Sequence, residues 1–104
     1  MQIVANQSAS FPSFSGSGPR STHVDVTFPA IINKATAMLT GFDVAFDPAS
    51  GDHHLGRLDV QIGRTTILAG NRVARVDITF GLRDWSGNWD DRYEGTVFFT
   101  VIAE

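Results

Sequence analysis

The stretch Ala74-Arg75-Val76-Asp77-Ile78-Thr79-Phe80-Gly81-Leu82 alternates without a break. Ala74, Val76, Ile78, Phe80 and Leu82 share one parity, and Arg75, Asp77 and Thr79 share the other. Successive side chains of a strand point to opposite faces, so this segment keeps one face in a core and the other in water. Helical spacing of apolar residues occurs nowhere in the chain, whereas the two-residue period recurs on both sides of this segment.

Upstream, Ala69-Gly70-Asn71 has the composition of a tight turn, preceded by a short strand over Thr65–Leu68. Before that, Leu58, Val60 and Ile62 form another alternating set. Val24, Val26 and Phe28 alternate with His23, Asp25 and Thr27, and Pro29 ends that strand. Between them, Ala35, Ala37 and Leu39 lie on one parity and Phe42, Val44 and Phe46 on the other. The switch at Gly41 predicts a bulge, because one extra residue reverses which face each later side chain takes. Asp47-Pro48-Ala49-Ser50-Gly51-Asp52 reads as a turn.

Downstream, a polar loop is expected from Arg83 to Gly95, followed by a closing strand over Thr96–Ala103. That last strand is apolar on both faces, with Val97, Phe99 and Val101 on one and Phe98 and Ile102 on the other. Such a strand is either central or pressed against another subunit. Residues 8–21 are dominated by Ser, Gly and Pro and read as irregular, with Phe11 and Phe14 expected to dock on a surface. The expected organisation is therefore an irregular arm over 1–22 and one domain over 23–104. The fold class is all-β, a six-stranded antiparallel β-sandwich.

Bulk composition narrows the function classes. A chain of 104 residues accommodates one domain, and its net charge of -3 supplies no basic stripe for nucleic acid. There is no cysteine, which removes disulfides and thiolate metal sites. The start Met1-Gln2-Ile3-Val4-Ala5-Asn6 lacks the basic and long apolar regions of a signal peptide, so a cytoplasmic or non-classically exported protein is expected. No run reaches membrane-spanning length. Eight phenylalanines are many for so short a chain and suggest burial between subunits as well as within one.

Candidate chemistry concentrates in Asp84-Trp85-Ser86-Gly87-Asn88-Trp89-Asp90-Asp91-Arg92-Tyr93-Glu94. Sugars are held by aromatic faces on their C–H patches and by carboxylate, amide and guanidinium groups on their hydroxyls. Each buried group left unpaired costs about 1–3 kcal/mol, so such ligands need several directed bonds. Trp85, Trp89 and Tyr93 beside Asp84, Asn88 and Arg92 supply both kinds of contact. The plainer alternative is that the tryptophans cover the end of the core and the acids solvate the loop. A third reading is calcium, with Asp84, Asn88 and Asp90 as oxygen ligands, although the glycine does not fall where an EF-hand needs it. Asp52-His53-His54 reads as a solvated loop, since adjacent strand residues face opposite ways. No nucleophile elbow, thiol nucleophile or phosphate loop is present, and no enzymatic activity is expected.

Four stretches together resemble the H-type lectins, the small β-sandwich agglutinins typified by snail lectins and the C-terminal domain of discoidins. They are Val24-Asp25-Val26-Thr27-Phe28-Pro29, Met38-Leu39-Thr40-Gly41-Phe42-Asp43, Leu55-Gly56-Arg57-Leu58-Asp59-Val60, and the aromatic loop with Phe98-Phe99-Thr100-Val101-Ile102-Ala103. The resemblance covers roughly residues 18–104. It implies a homotrimer, or a hexamer of two trimers, with sugar sites at subunit boundaries and a preference for galactose-type sugars, N-acetylgalactosamine above all. It places Arg57, Trp85 or Trp89, and Tyr93 in the site. Ser21 stands where the family carries an acid, and the loop before the last strand is longer than the family's turn. The expectation is a multivalent glycan-binding lectin without a cofactor; the alternative is a structural or oligomerisation module with no sugar ligand.

Overall fold

The computed structural model describes residues 1–14, 18–48 and 54–104. Six antiparallel strands make two three-stranded sheets packed face to face: β1 (Gln2–Phe14), β2 (Arg20–Thr27), β3 (Ala35–Phe46), β4 (Leu55–Ile67), β5 (Val73–Asp84) and β6 (Tyr93–Ala103). One sheet has the order β1-β6-β3 and is called here the β6 sheet; the other, β2-β5-β4, is the β5 sheet. A strand of 13 residues spans about 44 Å, which accounts for the elongated body of 47 × 20 × 18 Å.

The two central strands carry the core. Val76, Ile78 and Phe80 of β5 face Val97, Phe99 and Val101 of β6, all with no exposure. Phe28 and Ile32 plug one end of the sandwich, held where the Phe28 and Ile32 amides donate to the Arg72 and Asn71 carbonyls at 2.7 Å each. At the same end Gly70 and Asn71 take positive φ in the turn joining β4 to β5, as the composition of Ala69-Gly70-Asn71 predicts.

The bulge in β3 lies where the parity switch puts it, between Leu39 and Gly41 opposite Phe99 and Phe98. Bulges also interrupt β1 and β4, so three of the four edge strands bend while β2 runs straight along β5.

Three expectations are corrected. Residues 1–22 are not an irregular arm: Gln2–Phe14 is a full edge strand paired with β6, and β2 already begins at Arg20. Its alternation is hidden because Ser, Ala and Pro occupy six of its thirteen positions, and because a bulge between Val4 and Gln7, with Asn6 at φ 58°, resets the parity. Of its two distal phenylalanines, Phe11 is buried and Phe14 is exposed. Leu58–Ile62 and Thr65–Leu68 are not separate strands but one, β4, bent between Ile62 and Thr65. The loop before β6 runs only from 85 to 92, because both flanking strands extend further than the apolar alternation suggests. The expected turn over Asp47–Asp52 lies beyond Pro48 outside the described residues.

At the loop end of the sandwich, Phe80 packs edge-on to Phe11 (5.4 Å between centroids) and to Tyr93 (5.2 Å). Phe80→Ala removes the ring that joins both sheets there. We expect a loss of about 3–5 kcal/mol, the usual cost of an aromatic-to-alanine change in a packed core, read as a lowered urea midpoint with an unchanged slope.

Candidate binding site

Register fixes which side chains share the outer face of the β5 sheet. Arg57 pairs with Arg83, Asp59 with Gly81, and Gln61 with Thr79, which pairs on its other side with Ser21. His23 with Asp77 and Asp25 with Arg75 continue the face toward the far end. Directly paired residues point the same way, so these rows form one continuous polar surface, with about 7 Å between successive rows.

Gly81 is the exception in that surface, and it admits an aromatic. A Cβ there would lie 3.0 Å from both the Trp89 ring and the Pro19 Cα. Trp89 therefore rests over the bare backbone of the middle row, between Arg57 on one side and Ser21 on the other. Arg83 holds its guanidinium 5.7 Å from the Trp89 ring centre, a cation–π distance. On the same face, in the row of Gly81 and the rows next to it, Ser21 and Thr79 share a 3.0 Å hydrogen bond, Gln61 donates to Asp59 at 2.7 Å, and Arg57 lies 3.8 Å from the Asp59 carboxylate. The patch thus sets hydroxyl, amide, carboxylate and guanidinium groups around one aromatic ring.

Trp85 follows β5 directly and is 76% exposed, with an edge contact to His54 at 6.3 Å. Its amide donates to the His54 carbonyl at 3.1 Å, continuing the pairing of β4 with β5 past the bulge at Gly56. That bulge requires glycine: a Cβ on Gly56 would lie 2.2 Å from the Asp84 carbonyl oxygen and 2.7 Å from the Trp85 Cα. Gly56 thereby sets the positions of Arg57 and Trp85 relative to each other.

The six residues singled out in the sequence therefore divide. Ser21, Arg57 and Trp89 share one face, and Trp85 stands exposed beyond its end. Tyr93 and Asp84 are buried within the chain. Tyr93 is 1% exposed, donates its hydroxyl to the Gly18 carbonyl at 3.1 Å, and lies under the Arg20 guanidinium at 4.5 Å. Asp84 is buried and accepts from the Ser86 amide (3.0 Å) and hydroxyl (2.5 Å), shaping the turn that carries Trp85. Arg83, Gln61 and Thr79 escape attention in the sequence; their signal is outward parity on the two strands that flank Gly81.

Arg20 is also illegible as sequence. It reaches inward from β2 to donate to the carbonyls of Pro12 (2.7 Å) and Tyr93 (2.8 Å), tying β2 to both β1 and β6.

For a metal, the structure gathers Asp84 and Asp90 with Asp91, one carboxylate oxygen from each lying within 4.8 Å of the others. These are hard oxygen donors of the kind calcium takes. Asn88, the remaining member of the expected set, uses its backbone amide on the Ser86 hydroxyl at 3.4 Å. His53 of the Asp52-His53-His54 cluster lies outside the described residues, and His54 is exposed beside Trp85. On the opposite sheet, an open trough of about 350 Å³ is lined by Ser10, Pro12, Asp43, Ala45, Glu94 and Thr96. No family model, curated protein or solved structure matches the chain.

Two outcomes follow. Gly56→Ala forces the β4 backbone away from Asp84, so Trp85 and Arg57 should show the largest amide chemical-shift changes in the molecule, with stability lowered by about 1–3 kcal/mol as for strained backbone sites. At the other end of the face, Arg75 donates two hydrogen bonds to Asp25, at 2.8 and 3.1 Å. That pairing holds the Asp25 carboxyl below its usual range, chiefly through the hydrogen bond; desolvation opposes it, and the charges of Arg75 and His23 add to it. A carboxyl depressed in the folded state contributes stability above its unfolded pKa of about 4 and loses it as pH falls through the lower folded value. NMR titration should place Asp25 below an ordinary aspartate, and Arg75→Gln should return it toward the usual range.

Proposed function

We propose that the protein is a carbohydrate-binding lectin acting as a homo-oligomer, with its sugar site on the outer face of the β5 sheet. The observation that carries this reading is the patch of Ser21, Arg57 and Trp89 around Gly81, with Trp85 exposed beside it. A neutral polyol needs directed donors and acceptors together with an apolar ring face, and this patch supplies all of them within three strand rows. Arg57 donates to vicinal hydroxyls, Asp59 and Ser21 accept from them, and an indole packs against the sugar's C–H face. The resemblance to H-type lectins supports galactose-type sugars and a trimeric or hexameric assembly. Tyr93, buried as it is, acts by supporting Trp89, whose ring centre lies 6.3 Å away.

A second reading is a structural or oligomerisation module without a sugar ligand. The apolar central rows of the outer β6 face, where Ile3, Met38 and Phe98 are exposed, favour it.

Glycan-array binding by the purified protein, with calcium and again with chelator, separates the readings. Selective binding to terminal galactose-type sugars supports the lectin. Arg57→Ala and Trp85→Ala should then each weaken binding at least tenfold while leaving the molecular mass unchanged. Loss with chelator would assign a metal to Asp84, Asp90 and Asp91. A folded protein that binds no glycan sinks the lectin and leaves the module.

A further inference from the structure

Two arginines stand side by side on the candidate face. Arg57 of β4 pairs directly with Arg83 of β5, and both side chains point outward with Asp59 and Thr79. In a direct antiparallel pair the Cβ atoms lie about 4.5–5.5 Å apart, and like charges placed so destabilise the sheet. The bulge that Gly56 permits lies in the same stretch of β4, and bulges gather next to functional sites, where they re-aim side chains.

Compensation of the pair is slight. In the adjoining row the acid is Asp59, whose carboxylate lies 3.8 Å from Arg57, too far for a hydrogen bond, and already accepts from Gln61. Among the described residues Arg83 has no carboxylate partner. Its guanidinium faces the Trp89 ring at 5.7 Å, and its Nε is buried without a hydrogen bond.

Charges farther along the face are matched instead. Arg75 donates two hydrogen bonds to Asp25, and His23 pairs across the strands with Asp77. Arg57, Arg83 and Asp59 therefore leave one positive charge in excess beside the indole, on a chain whose net charge is -3. The uncharged row of Gln61, Thr79 and Ser21 then ends that excess, so no basic track of the kind a polyanion needs runs along the sheet. The pair suits a single oxyanion.

We propose that the sugar taken by this face carries an oxyanion, a carboxylate or a sulfate ester, held between the Arg57 and Arg83 guanidiniums beside Trp89. The inference rests on the carbohydrate reading of this patch and narrows its ligand from neutral galactose-type sugars to acidic ones. A planar guanidinium fork matches two oxygens of a carboxylate or a sulfate, and hydrogen bonds between charged groups are about twice as strong as neutral ones. An anion between the two forks also cancels the repulsion that the pair carries by itself. A neutral sugar can satisfy the hydroxyl-binding groups of the patch but leaves that repulsion in place.

Isothermal titration of the full chain with methyl galactoside, the methyl glycoside of galacturonic acid and a sulfated methyl galactoside compares one ring stereochemistry with and without the anion. At low salt an acidic sugar should bind at least about tenfold more tightly than the neutral one, and the tighter of the two acidic sugars identifies the oxyanion. That advantage should shrink at about 0.5 M salt, where exposed charges are screened. Arg83→Gln, its fold checked by far-UV circular dichroism, should bring the acidic and neutral affinities within about threefold of each other. Equal affinity of the wild type for acidic and neutral sugars overturns the proposal and leaves a lectin for neutral sugars. A preference that survives in folded Arg83→Gln overturns the role of the arginine pair.

A measurement without variants locates the anion. Inorganic sulfate titrated into isotope-labelled wild type should shift the Nε signals of Arg57 and Arg83 more than those of Arg64 and Arg72. Equal shifts at all four overturn the anion site. Sulfate that shifts the pair in a protein binding no saccharide of either kind defeats the carbohydrate reading alone, since the anion site then stands without it.

Discussion

The structure hangs on the apposition of β5 and β6. These central strands bring Val76, Ile78 and Phe80 against Val97, Phe99 and Val101, all withdrawn completely from water. Every other strand is an edge and is held in place by pairing with one of these two. At the loop end the contact becomes aromatic, Phe80 lying between Phe11 and Tyr93. Arg20 then closes it from above by binding the backbones of two neighbouring strands. The buried ring of Tyr93 supports Trp89, and Trp89 covers Gly81 on the far side of the β5 sheet. The candidate binding surface is thus an extension of the core packing, carried through the sheet where Gly81 lacks a side chain.

That arrangement leaves the two outer faces different in composition. Directed polar groups and one indole occupy the β5 face. Apolar residues occupy the β6 face, where exposure is costly and a covering partner is favourable. A sandwich about two side-chain layers thick keeps the two faces on opposite sides.

Much of the fold was legible in the chain. The alternation over 74–82, the parity switch at Gly41 and the turn at 69–71 each correspond to a feature of the structure, because each is a local consequence of the strand period or of backbone conformation. The first strand was not legible: its buried face is built from Val4, Ala9 and Phe11 across a bulge, and small polar residues mask the period. The site was legible only in part. Exposure of Trp85 and the outward direction of Arg57 follow from their positions at a strand end and on an edge strand. The burial of Tyr93 does not, because a tyrosine at the start of a strand reads the same whether its ring meets solvent or another sheet.

By itself, then, the sequence determined the all-β class, the inward parity of most strands and the loop in which aromatics and acids gather, since these depend on residues within a few positions of one another. Only the tertiary structure decided that residues 2–14 form an edge strand, that Tyr93 and Asp84 are buried, and that Ser21, Arg57 and Trp89 share one surface. Those three positions come together through the pairing of β2 and β4 with the same strand, β5, across a glycine. Pairing partners and register are set by which long-range packing buries the most apolar surface, a quantity that belongs to the whole folded chain and to no stretch of it.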